Sequence, residues 1–121
     1  MKKQTLILDK IPTSLNKYIN AERTNKFMGS AIKKKETEYV YWMCKEQGLK
    51  PIKKKVQVDF YWYVVNKRKD PDNISFAKKF CMDGIVKAGV LKNDGMKEIE
   101  GFSDHFIHDT QEQVIIDLVE V

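Results

Sequence analysis

The chain lacks any apolar run long enough to cross a bilayer. The longest, such as Tyr61 to Val65, fall far short of the ~20 residues required, so no membrane partner is expected. The opening Met1-Lys2-Lys3 is basic, but only Leu6-Ile7-Leu8 follows as an apolar stretch before Asp9-Lys10, which argues against a secretory signal and for a cytoplasmic protein. Cysteine is scarce. Cys44 and Cys81 are widely separated inside apolar-periodic segments, as expected of reduced core thiols rather than a disulfide or metal site. His105 and His108 are three apart in a strand-like segment, so they face opposite sides and do not share a metal. There is no glycine-rich phosphate loop, no clustered Cys/His spacing and no Gly-x-Ser-x-Gly elbow. Those absences remove the common nucleotide-binding, zinc and serine-hydrolase classes, and with them a nucleotide cofactor. Repeats and low-complexity segments are also missing.

What is present is a length of 121 residues, within the range of one domain spanning 1–121, with 42% apolar and 32% charged residues. The net charge of +5 is unevenly spread: residues 1–60 carry 14 Lys and Arg against 6 Asp and Glu, residues 61–121 carry 8 against 11. A basic surface for a polyanion, with carboxylates gathered elsewhere, fits this asymmetry; so does a plain Lys-rich solvated surface.

Thr5 to Leu8 reads as a short strand, and Ile11 to Asn25 as a long loop whose Asn16, Lys17, Tyr18, Asn20 and Arg23 are groups suited to a sugar-phosphate backbone. From Met28, the residues Met28, Ile32, Tyr39, Val40 and Met43 recur at helical spacing, and Gly48 and Pro51 stop the helix. Its Lys33 to Lys35 run reads as a solvated face. Val56 to Val65 alternates as a strand with one fully apolar face; its half-apolar second face hints at a second subunit. A second helix carries Ile74, Ala77, Cys81, Ile85 and Ala88 and ends at Gly89. After the turn Lys92-Asn93-Asp94-Gly95, strands over about Ile99 to His108 and Gln113 to Val121 are expected to form a hairpin. The fold class is α+β: a small mixed sheet of about four strands with two main helices packed on it.

The sharpest local feature is Asp70-Pro71-Asp72. Proline favours extended geometry before it, and carboxylates at i and i+2 of an extended segment project to one side, where they can share a hard divalent ion such as Mg²⁺. The same residues are also ordinary helix-capping and turn chemistry, and Asn93-Asp94-Gly95 is a common turn. Lys67, Arg68 and Lys69 run into the first carboxylate, and Lys78 and Lys79 follow on the helix. Such cations suit phosphates near a metal, or simply a solvated basic turn.

The order of these motifs resembles the RusA-type Holliday junction resolvases. The resemblance runs through Pro12-Thr13-Ser14-Leu15-Asn16-Lys17-Tyr18, then Lys67-Arg68-Lys69-Asp70-Pro71-Asp72-Asn73. It continues through Lys79 with Met82-Asp83 to Lys87-Ala88-Gly89, and ends at Asn93-Asp94. It implies a homodimeric, Mg²⁺-dependent endodeoxyribonuclease, with Mn²⁺ as a substitute, that binds four-way junctions and nicks opposing strands in recombination and repair. The implied metal ligands and catalytic residues are Asp70, Asp72 and Asp94. Lys79 matches the family's helix lysine after an insertion of about three residues, with Lys78 as its rival. Asp83 falls on a position often acidic in the family, and is otherwise a helix-surface carboxylate. The candidate DNA contacts, read from their charge and loop chemistry, are Lys67, Arg68, Lys69, Lys78, Asn16, Lys17 and Arg23; the resemblance also implies a phage or prophage origin. Two other readings stay open: a non-catalytic DNA-binding or architectural protein, and a nuclease of the same fold acting on other branched DNA.

Overall fold

The computed structural model describes residues 2–13, 15–66 and 70–121, without the side chains of Leu15 and Asn16. The chain order is β1 (Lys3–Leu8), α1 (Leu15–Thr24), α2 (Lys26–Glu46), β2 (Val56–Val64), α3 (Pro71–Ser75), α4 (Lys78–Lys87), β3 (Ile99–His108) and β4 (Gln113–Glu120). The fold is α+β with one four-stranded mixed sheet in the order β1-β4-β2-β3.

Strand alternation decides what the sheet covers. Leu6 and Leu8, the Val56–Val64 even-numbered series, and Val114, Ile116 and Leu118 all point to the helix side and are buried. Against them pack Val40 and Cys44 of α2 and Ala77, Cys81, Met82 and Ile85 of the α3–α4 segment. Each such side chain contributes ~1.5–3 kcal/mol of burial, which holds the layers together. The opposite face carries Thr5, Asp117, Asp59 and Ser103 in one row across all four strands.

Two expectations are overturned. The 11–25 segment is not a long loop: its second half is helix α1, anchored where Tyr18 meets the rings of Phe76 and Phe80 at 5.6 and 5.9 Å. Nor do the last two strands form a hairpin. β2 lies between them, parallel to β3 and antiparallel to β4, because residues 109–112 step over the end of β2 instead of folding β4 back on β3. The apolar β2 thereby gains a neighbour on each side. Both cysteines are free and buried, as the sequence suggested, and burial pushes the Cys44 thiol up to about 12 and that of Cys81 upward as well. No helix among the described residues is long and apolar enough to cross a membrane.

α2 begins at Asn25, whose Oδ1 accepts the Phe27 N–H at 2.8 Å, and stops before Gly48 at φ +71°. α4 stops before Gly89 at φ +79°. In both, a left-handed backbone conformation that glycine adopts without Cβ strain closes the helix.

Candidate functional site

Asp70 occupies the N-cap position of α3 with extended backbone (φ −74°, ψ 143°), and Pro71 opens the helix, where its missing N–H costs nothing. The tripeptide is therefore not straight: it turns into helix at Pro71, and Asp72 lies in the first helical turn. Asp70 makes no side-chain cap hydrogen bond, although an N-cap aspartate commonly accepts one from the N2 or N3 amide. Its exposed carboxylate is uncommitted among the described residues. Asp72 is exposed too, and its Oδ1 accepts the neighbouring Asn73 N–H at 2.9 Å.

The two rival lysines are separated by their surroundings. Lys78 Nζ sits 2.7 Å from Asp104 Oδ2 and lies over the rings of Phe60 and Phe102 at 5.4 and 4.9 Å. Asp104 Oδ1 also accepts the buried Trp62 indole N–H at 2.8 Å. Lys78 is thus tied to the sheet. Lys79 is exposed and makes no ion pair among the described residues. The backbone is helical through Phe76 and Ala77, so Lys79, seven residues on, lies about two turns or 10 Å from Asp72 near the same side. Asp83 follows one turn later, partly buried.

Asp94 is exposed in the connection from α4 to β3. Asn93 Oδ1 accepts the Asp94 N–H at 2.9 Å, and the backbone is closed by the Glu98 and Ile99 N–H groups on the Gly95 carbonyl at 3.1 and 3.0 Å, so these bonds do not use the Asp94 carboxylate. Its position differs from the expectation that all three aspartates meet. The 90–98 segment is held at the start of β2, through Ile52 N–H to Val90 O, Val56 N–H to Glu98 O, and the pairing of Val56 with Ile99. Asp70 and Asp72 follow the other end of β2, where Pro71 and Ile74 border Val64 and His108. Nine residues of strand separate the ends, roughly 26 Å. Among the described residues of one chain no three Asp, Glu, His or Cys side chains are placed to hold a metal ion.

Around the Asp70 end the chain gathers cations. A cavity of about 570 Å³ is lined in part by Lys10, Lys17, Lys35, Glu36 and Asn66. Glu36 is the one buried charged residue described; it accepts the Thr13 N–H at 2.9 Å and faces Lys10 Nζ at 3.6 Å, fixing the 9–13 segment against α2. Tyr39 adds a hydrogen bond to Asp9, and burial raises its phenol pKa. Lys17 is exposed on α1 and Arg23 lies in its last turn. Asn16 is on the same helix with its side chain outside the described ones, and Lys67, Arg68 and Lys69 lie outside the described residues. Sequence reading gave Lys10 no role and took Lys35 and Glu36 only as the polar side of α2, although Glu36 interrupts the apolar stripe between Ile32 and Val40, a visible signal.

At Asp70 and Asp72 the chemistry of the donor set fits a hard divalent ion, because Mg²⁺ commonly takes one or two carboxylates and keeps several waters. No protein-family model matches the chain, and no curated protein matches it.

Proposed function

We propose that the protein is a Mg²⁺-dependent, homodimeric endodeoxyribonuclease acting on branched DNA, with the four-way junction as its substrate. The observation that carries the reading is that Asp70 and Asp94 stand at a cap and a turn without serving either one. The plain structural explanation of these two aspartates is thereby weakened.

The separation of Asp94 from the other two requires a second copy. β3 is an edge strand ten residues long, parallel to β2. Pairing β3 antiparallel with the same strand of a partner, about a twofold axis, sets the start of one strand beside the end of the other. That arrangement carries the partner's Asp94 toward Asp70 and Asp72, forming two equivalent sites for two opposed strands. Phe102 and Phe106, half-exposed on β3, supply apolar area beside the edge.

In this reading Asp70 and Asp72, with the partner's Asp94, would hold the ion, which would supply an activated water and offset charge on the phosphate. Lys79 places an ammonium beside the scissile phosphate and stabilises the charge developing there. Lys17 and Arg23 attract the flanking backbone. The test is a nicking assay on a synthetic four-way junction with and without Mg²⁺. Cleavage requires the ion, and Asp72→Asn binds the junction but leaves it intact; wild-type cleavage by Asp72→Asn rejects the assignment. A linear duplex of the same sequence, cut at the same rate, would reassign the substrate.

A further inference from the structure

Lys33 and Lys34 of α2 share a groove with α4 that the sequence does not reveal. The two helices approach most closely at Gly84, where an added Cβ would lie 2.4 Å from Val40 Cβ and 2.9 Å from the Thr37 carbonyl oxygen. Beside this contact they leave a groove of about 290 Å³, lined by Ser30, Lys33, Lys34 and Thr37 of α2 and by Lys87, the last residue of α4. Its lining residues are three lysines, a serine and a threonine, with no carboxylate. Lys33 and Lys34 have no ion-pair partner among the described residues, while Lys87 Nζ lies 3.8 Å from the half-exposed Glu38 and 5.4 Å from the Tyr41 ring. Thr37 Oγ1 is itself shielded from the groove and is the one buried side-chain polar atom among the described residues without a hydrogen-bond partner.

Lysines gathered along one groove, two of them without a counter-charge, raise the local positive potential and favour an anion. We infer that this groove between α2 and α4 is an anion subsite that seats a backbone phosphate of a nucleic-acid strand crossing the helix layer. That the phosphate belongs to a nucleic acid rests on the nuclease reading; the anion chemistry of the groove stands apart from it. The lining shares no residue with the aspartate site, so its loss weakens binding and leaves the chemistry in place.

The test titrates ¹⁵N-labelled protein with inorganic phosphate and then, in Ca²⁺ to hold back cleavage, measures affinity for a linear duplex and a four-way junction across salt concentrations. Phosphate shifts the amides of Ser30, Lys34 and Thr37, and the shifts vanish in the Lys33→Gln/Lys34→Gln/Lys87→Gln variant. In that variant the slope of log affinity against log salt becomes shallower by about one, the value of ~0.9 expected for one lost phosphate contact. The unchanged remainder of its amide spectrum shows that it folds. A wild-type slope in the variant, with the junction still bound, overturns the subsite and leaves the nuclease reading standing. Groove shifts with inorganic phosphate in a protein that binds neither DNA overturn both the nucleic-acid identity of the anion and the nuclease reading.

Discussion

The two edges of the sheet are finished in opposite ways. On β1 the side-chain amide of Gln47 accepts the Ile7 N–H at 2.9 Å and donates to the Ile7 carbonyl at 2.6 Å, while the Gln4 amide does the same for Lys50. The Gln47 amide thus occupies hydrogen-bonding positions on β1 that another strand would seek, and the Gln4 amide ties the same strand to the backbone of Lys50. β3 has no such cover among the described residues, and it contains neither Pro nor Lys, the usual devices that blunt an edge. The contrast separates an edge closed by its own chain from one suited to a second copy, and it is the second that the proposed dimer uses.

The largest effect is expected from spoiling that open edge. Phe106→Lys places a charge beside β3 at a half-exposed position, so it spares the core. Light scattering should then report the 14.2 kDa chain instead of about twice that mass, and junction nicking should fall to background. Retained cleavage by a monomer breaks the comparison at once.

A core change in the strand between the ends acts on stability instead. Phe60 is fully buried and stacked on Trp62 with ring centroids 5.1 Å apart, so Phe60→Ala should cost ~3–5 kcal/mol in denaturant unfolding. At the closed edge, Gln47→Ala frees the Ile7 groups to water at a cost of about 1 kcal/mol. Its oligomeric state should not change; if the variant associates further through β1, the two edges differ less than their side chains suggest.

The last effect is in pH, small just above pH 9 and growing toward about pH 12. Burial raises the Cys44 thiol from near 9 to about 12, so above pH 9 the unfolded chain releases a proton that the folded chain keeps. This contribution to stability is whole below pH 9 and fades as pH rises toward about 12. Urea midpoints of wild type and Cys44→Ala should therefore converge with rising pH through that window.

Much of this architecture is legible in the residues. Period-two alternation marks β2 and period 3.6 with Gly48 and Pro51 marks α2, because burial of one face dictates both patterns, while β-prone runs mark the other three strands. Helix α1 was hidden: Leu15, Tyr18 and Ile19 have helical spacing, but Asn, Lys, Thr and Arg dilute it, and its anchor is a tertiary contact of Tyr18 with Phe76 and Phe80. The order of the strands depends on pairing between residues far apart, such as Thr5 with Asp117, which local turn chemistry does not encode. The same holds for the site. Sequence picks out Asp70, Asp72 and Asp94 but cannot see that a parallel crossover puts the last at the far end of β2. Lys78 and Lys79, adjacent in sequence, are told apart only by Asp104 on β3.

The central claim is that a working site draws Asp70 and Asp72 from one subunit and Asp94 from the other. Two inactive proteins, Asp70→Asn/Asp72→Asn and Asp94→Asn, should be co-refolded and tested for Mg²⁺-dependent nicking of a four-way junction. In a mixed dimer one site collects every defect and the other is whole, so random mixing restores about a quarter of the wild-type sites. If all three ligands belong to one chain, every site keeps a defect, and a mixture as inactive as its components contradicts the account.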